Sequence, residues 1–354
     1  MKKLTALFLI AALFASLAGC AGTTVVVGNC TCPPDAHKSE PSYIVNQDPE
    51  GVLSNNVDPK TQLKTGIAIL TGIAKSASAT AESNGKADYD VTVVAVTVDY
   101  DGMIHSCIID SIGETSEFTA EGVPVNPGII AVKTKREKGL DYGMKASGSQ
   151  YEWYEQADAL ARFAVGKTVD QVKGGYAEDV DLATSASIYL GGYVAGIEAA
   201  VANARHLGAG VGDELRLAVT AAVDAGTGGK AQMNVDAVAL TLAGDVITSC
   251  FIDSLQAAVE YDSTGTITTD VKTAPKTKMQ LGFDYGMVAY KASKIGLEWF
   301  EQVDHFCDYV TGKTAAQVSG IAVNEEGKTT DVDLAAECSI AIDDFQALIA
   351  KAFQ

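Results

Sequence analysis

The stretch Ile104-His-Ser-Cys-Ile-Ile-Asp-Ser111 returns later in the chain as Ile247-Thr-Ser-Cys-Phe-Ile-Asp-Ser254. Further matches follow in the same order. Lys133-Thr-Lys135 recurs as Lys276-Thr-Lys278, and Asp141-Tyr-Gly-Met144 as Asp284-Tyr-Gly-Met287. Trp153-Tyr-Glu-Gln156 recurs as Trp299-Phe-Glu-Gln302, Gly166-Lys-Thr168 as Gly312-Lys-Thr314, and Asp179-Val-Asp-Leu182 as Asp331-Val-Asp-Leu334. Units of about 145 residues have the size of a domain rather than of a solenoid repeat. The expectation is two tandem homologous domains, 61–205 and 213–354, joined by the Gly-rich piece Leu207 to Gly212.

Within a unit, the pattern changes from strand to helix along the chain. Residues 66–80 and 88–99 read as strands, and the β-branched run Val91 to Val98 reads as a strand buried on both faces. Tyr100-Asp101-Gly102 is a hairpin signal, with 103–111 as the returning strand. The Gly- and Pro-bearing segment 112–130 reads as loop with at most a short hairpin. On 150–165, Trp153, Ala157, Leu160, Ala161 and Ala164 share one helix face, as do Trp299, Val303, Phe306, Cys307 and Val310 in the second unit. The last helix shows Leu190, Tyr193, Ile197, Ala200 and Val201, and its partner Ile342, Phe345, Ile349, Ala352 and Phe353. Strands first and helices later predict an α+β class, with an antiparallel sheet packed by C-terminal helices in each domain.

The amino terminus carries a leader. Lys2 and Lys3 precede the apolar stretch Leu4 to Leu17, which ends in Leu17-Ala18-Gly19-Cys20. The stretch is short for a membrane span. The order of positive, apolar and small residues before a Cys resembles the lipobox of bacterial lipoproteins, which implies a signal peptide over 1–19 and lipid on Cys20. Residues 20–60 then read as a lipidated tether broken by Pro33-Pro34 and Pro41, and Cys30-Thr-Cys32 has poor spacing for zinc. The expected location is the extracytoplasmic face of the cell membrane.

The 354 residues hold 26 Lys+Arg against 45 Asp+Glu, a formal net charge of −19. Phosphate backbones and anionic headgroups repel such a chain, so no nucleic-acid partner is expected. Cleavage before Cys20 removes two lysines and no acid, so lipid rather than surface charge must hold the protein to a membrane.

Catalytic patterns are scarce. Gly166-Lys-Thr168 lacks the upstream Gly of a phosphate-binding loop, because Ala161 and Cys307 stand there. Thr168 with Gln171, and Thr314 with Gln317, match the capping box instead. His105 corresponds to Thr248 and His305 to Ala159, so the units share no His, and no Ser/His/Asp or His-Glu-x-x-His pattern occurs. Cys107 and Cys250 are equivalent and read as small buried hydrophobes. Cys307 and Cys338 both replace Ala of the first unit, at Ala161 and Ala186, which points to contact and a disulfide; an exported thiol pair can also stay reduced.

The segment before the last helix resembles that of FMN-binding domains, such as the periplasmic flavin-carrying subunits of sodium-pumping quinone reductases and related electron-transfer lipoproteins. In that family an Asp precedes a Ser/Thr-Gly-Ala-Thr motif whose last Thr is joined to the flavin phosphate. Here Asp181, Thr184, Ala186 and Ser187 match position by position, with Ser185 in place of the Gly. In the second unit Asp333 and Ser339 match, while Ala336, Glu337 and Cys338 depart. A Glu there puts a carboxylate beside a phosphate, and Ser187 and Ser339 can alternatively serve as helix N-caps. The resemblance implies FMN held at Ser187 or Ser339, a membrane electron-transfer complex as partner, and a redox carrier rather than a stand-alone catalyst. For non-covalent flavin, Tyr142, Tyr285, Trp153 and Trp299 are candidate stacking partners, and Lys133, Lys135, Lys276 and Lys278 are candidates for the phosphate. The alternative is a non-catalytic surface lipoprotein that binds a small ligand or protein partner on the same scaffold. The altered motifs favour that alternative for the second unit.

Overall fold

In the computed structural model, residues 61–226 and 228–354 are described. The expected leader over 1–19, Cys20, the expected tether to residue 60 and Cys30-Thr-Cys32 lie outside them.

The first repeat opens with an antiparallel meander of β1 (Lys64–Gly72), β2 (Gly85–Val98) and β3 (Ile104–Phe118). The β2–β3 turn forms where expected. The Asp99 carboxylate accepts the Asp101 and Met103 amides at 3.0 and 2.8 Å, and Gly102 takes a φ of 77°, which glycine adopts without steric cost. The second repeat builds the same meander from β5 (Glu214–Asp224), β6 (Lys230–Ala243) and β7 (Val246–Glu260). Both meanders shift register at the equivalent place, between Thr97 and Val98 and between Thr241 and Leu242.

Three sequence readings need correction. The strand read over 66–80 ends at Gly72, and the residues after it turn toward β2. Residues 112–118 continue β3 rather than forming a loop, because β2 begins at Gly85 and offers a pairing edge down to Gly85↔Phe118. Residues 129–131 form a short strand, β4 (Ile129–Ala131), which pairs not with its own sheet but with β5. The second sheet therefore has four strands, one of them supplied by the first repeat.

The helices follow in matching order. The first repeat carries α1 (Lys135–Lys138), α2 (Trp153–Ala164), α3 (Val169–Gly175), α4 (Val180–Ser185) and α5 (Gly191–Ala202). The second carries α6 (Lys278–Leu281), α7 (Trp299–Val310), α8 (Ala315–Ser319), α9 (Val332–Glu337) and α10 (Asp343–Ala352). The class is α+β, with two antiparallel sheets and helices.

Packing follows from the two faces of β2. Val94, Val96 and Val98 join Ala68, Ile104 and Ile109 against Trp153, Leu160 and Ile197 of the helices. Val91, Val93 and Ala95, with Ile67, Ile69 and Ile112, face the other way into a core shared with the second repeat. The run from Val91 to Val98 is thus covered on both sides, by helices on one and by the other sheet on the second. Across that interface Thr65 Oγ1 lies 2.6 Å from Ser249 Oγ, and Phe118 stacks on Tyr261. α5 covers β1 and β2, α10 covers β5 and β6, and α2 and α7 cover β3 and β7. The order of layers is helices, sheet, sheet, helices.

Candidate functional site

Each duplicated motif proves to hold backbone in place. Asp110, in the β3 motif, accepts the Ser111 amide at 2.7 Å and the Arg136 amide at 3.2 Å. Asp253 does the same for Ser254 and Met279, at 2.7 and 3.2 Å. Each carboxylate therefore caps the first turn of α1 or α6. Burial raises the Asp110 carboxyl above its ordinary range and pushes Asp253 up to about 7, although hydrogen bonds favour the charged form in both. Thr134 and Thr277, the middle residues of the Lys-Thr-Lys motifs, close capping boxes with Glu137 and Gln280.

The other motifs behave alike. Gly143 and Gly286 of the Asp-Tyr-Gly-Met turns both take a φ of 80°. The buried Glu152 accepts the amides of Met144 and Lys145, and Glu298 those of Met287 and Val288. Thr168 and Thr314 close capping boxes with Gln171 and Gln317, as the sequence indicates. Asp179 and Asp331 cap α4 and α9.

The Gln of Trp-x-Glu-Gln secures the segment that resembles the flavin motif. Gln156 is fully buried, and its Oε1 accepts the Ser187 amide at 2.6 Å, the Ser187 hydroxyl at 3.2 Å and the Ile188 amide at 3.1 Å. Gln302 Oε1 accepts the Ser339 amide at 2.8 Å and hydroxyl at 3.0 Å. The N-cap reading of the two serines is corrected by this arrangement: the caps of α5 and α10 are Leu190 and Ile342, three residues further on.

These residues do not suit a flavin phosphoester. Both serine hydroxyls are spent as donors to a buried amide oxygen. Thr184 donates to the Asp181 carbonyl at 2.9 Å, and Asp181 is exposed in a separate cleft of ≈ 290 Å³ with Arg162 and Ser185. Ser339 borders another cleft of ≈ 360 Å³, where Lys328 pairs with Glu326 at 2.8 Å. Both tryptophans are buried and packed against a lysine. Lys135 Nζ sits 5.5 Å from the centroid of the Trp153 ring and 5.7 Å from that of Tyr142. Lys278 Nζ sits 4.9 Å from Trp299 and 5.3 Å from Tyr285. The inner lysines of the Lys-Thr-Lys pairs thus make internal cation–π contacts. The outer ones, Lys133 and Lys276, are exposed.

A larger cavity, ≈ 560 Å³, opens at that contact in the second repeat. Lys278, Tyr285, Trp299 and Phe345 form its inner wall, with Trp299 edge-on to both other rings at 6.5 and 6.4 Å. Tyr290 and Ala341 stand at its exposed side. Two carboxylates complete it. Asp236 on β6 accepts a hydrogen bond from Ser254 Oγ, and Asp344 lies in the first turn of α10. Burial raises the Asp236 carboxyl above its ordinary range, and the Asp344 charge adds to that; Ser254 and Lys278 act in the opposite sense.

Sequence matching missed this site because its distinctive residues are the ones that differ between repeats. Thr92 pairs with Ser111 where Asp236 pairs with Ser254. Gly192 stands second in α5 where Asp344 stands second in α10, and Ser147 stands where Tyr290 does. Tyr193 takes the place of Phe345, and its hydroxyl accepts the Trp153 indole N–H at 3.0 Å. The usable signal was the set of mismatches within an otherwise matched pair.

Cys307 and Cys338 are buried free thiols, and the sulfur that Cys307 meets is that of Cys250, at 3.2 Å. Cys250 is buried as expected, while Cys107 is half-buried, with its thiol pushed up to about 12 by burial. His105 pairs with Asp99 at 3.0 Å and His305 with Glu337 at 3.1 Å. No cluster of three or more His, Cys, Asp or Glu able to hold a metal occurs among the described residues, and no helix among them is long and apolar enough to cross a membrane. No family model matches the chain, and no curated protein or solved structure matches it.

Proposed function

We propose that this chain is a non-catalytic, lipid-anchored extracytoplasmic binding protein whose second repeat takes a small ligand. One observation carries the reading. The residues common to both repeats hold backbone or make the lysine–aromatic contact found in each, whereas Asp236, Tyr290 and Asp344, which differ from their counterparts, converge on a single cavity with aromatic walls. Selection for a fold alone gives no reason for such changes to meet in one place. A cavity of ≈ 560 Å³ lies in the range of small-molecule sites. Lipid on Cys20 would keep this site at the membrane surface, in place of the electrostatic attraction that a net charge of −19 denies it.

The test uses the full chain purified in detergent from its native host. Native mass spectrometry should show a small molecule bound at one per chain, and Ala341→Trp, which fills the cavity from its exposed side, should remove it. The same ligand bound equally by Ala341→Trp would place binding elsewhere. Yellow absorbance that survives denaturation would overturn the reading in favour of a covalent flavin carrier. Cys20→Ala should move the chain from the membrane fraction to the soluble one.

A further inference from the structure

We infer that the ligand of the second-repeat cavity is a small organic monocation, an ammonium group on an apolar body. The inference rests on the reading of that cavity as the binding site.

The argument begins with charge. In the first repeat, Lys135 lies over Tyr142 and Trp153, and Thr92 and Gly192 hold the positions equivalent to Asp236 and Asp344, so no carboxylate is supplied from those two positions. In the second repeat the lysine contact is retained, but both positions have become carboxylates, Asp236 and Asp344. Asp344 is exposed and Asp236 half-buried, and two carboxylates against one ammonium leave the cavity with an excess of negative charge. Water solvates the exposed carboxylate, and a ligand whose body displaces that water must replace it with a cation.

The walls point the same way. Lys278 already occupies the faces of Trp299 and Tyr285, but Phe345 and Tyr290 also line the cavity. Aromatic faces and edges next to carboxylates suit an ammonium with a hydrocarbon substituent, since the rings take the apolar body and attract the cation. An anionic ligand would meet Lys278 but also both acids. The long-range field agrees, because a chain of net charge −19 draws cations and repels anions.

Isothermal titration of the full chain in detergent at pH 7 tests this with three probes of nearly equal shape: phenethylamine, 2-phenylethanol and 3-phenylpropionate. Phenethylamine should bind at one per chain, with the alcohol at least tenfold weaker and the acid not binding. Asp236→Asn and Asp344→Asn should each weaken the amine several-fold, and the double variant should abolish discrimination between amine and alcohol. Asp333→Asn, outside the cavity, should change nothing. If the alcohol binds as well as the amine and Ala341→Trp blocks both, the cavity is a binding site but its ligand is not a cation. If no probe binds at millimolar concentration, the cation inference falls, while the ligand retained from the native host still decides the broader reading. Amine binding unaffected by either Asn variant would also overturn the inference.

Discussion

Phe118 and Tyr261 occupy equivalent positions in the two repeats and stack face to face, with ring centroids 3.8 Å apart and planes 5° from parallel. Equivalent residues in contact mark the line about which the repeats are related. Both are buried in the core that the two sheets share. The pair joins the halves into one packing unit, and β4 reinforces this by crossing from the first repeat to the second sheet.

Unfolding should reflect that shared core. Phe118→Ala and Tyr261→Ala are each expected to cost about 3–5 kcal/mol. The double variant should fall short of their sum by roughly 0.5–1.5 kcal/mol, the worth of a stacked pair. Urea unfolding followed by tryptophan fluorescence and by circular dichroism should give coincident single transitions. Two separated transitions would mean that the halves fold independently.

The buried glutamines make a ranking. Gln302→Leu removes the acceptor of the Ser339 amide and hydroxyl, and should cost about 1–3 kcal/mol for each buried group left unpaired. Ser339→Ala keeps the amide bond and should cost less than about 1 kcal/mol. Denaturant midpoints of the two variants measure this directly; a serine variant less stable than the glutamine variant would contradict the role of Gln302 as acceptor of both Ser339 groups.

Asp253 gives the fold a pH dependence. Its carboxyl rises from an ordinary 3.8 to about 7 in the folded chain, chiefly through burial. At low pH it is protonated in both states. Between roughly pH 4 and pH 7 the unfolded chain releases this proton first, so stability falls as pH rises, and above the folded value the loss is complete. Asp253→Asn cannot ionise yet keeps an acceptor for the Ser254 and Met279 amides. Thermal melts from pH 4 to pH 8 should show a shallower decline for this variant, with a gain on the order of 2–4 kcal/mol at the upper end. An unchanged slope would mean that the carboxyl ionises normally.

The thiols offer a fourth check. Cys250 and Cys307 lie sulfur to sulfur at 3.2 Å, against roughly 2.05 Å for a bond. Oxidation of the folded protein should therefore link Cys250 to Cys307 and leave Cys338 to react with an alkylating reagent after denaturation. Non-reduced peptide mapping that finds Cys307 joined to Cys338 would show that the helix and the following turn approach more closely than they do here.

Much of the architecture was legible in the residues. The β2–β3 hairpin, the two long amphipathic helices and the order of elements follow from β-branched runs, Gly102 and the spacing around Trp153 and Trp299. The candidate site was legible only in part. Lys278, Tyr285 and Trp299 stood out because they recur, and the structure does bring them together. Asp236 and Asp344 did not stand out, since they lie over a hundred positions apart and match nothing in the first unit. Ser187 and Ser339 were singled out by resemblance, but their local partners, Gln156 and Gln302, come from a different helix.

The sequence by itself determined the repeat, the class and the local caps, because turns, caps and periodic faces depend on neighbours a few residues away. Which faces meet was decided only by tertiary structure. A strand such as Val91 to Val98 announces that both its sides are buried, yet not that one side lies on helices and the other on a second sheet. The same holds for the cavity. Its charge balance depends on β6, α6 and α10 closing around one point, and no spacing along the chain encodes that distance. The feature that most constrains function is thus the divergence of two copies of one fold at positions that only packing brings together.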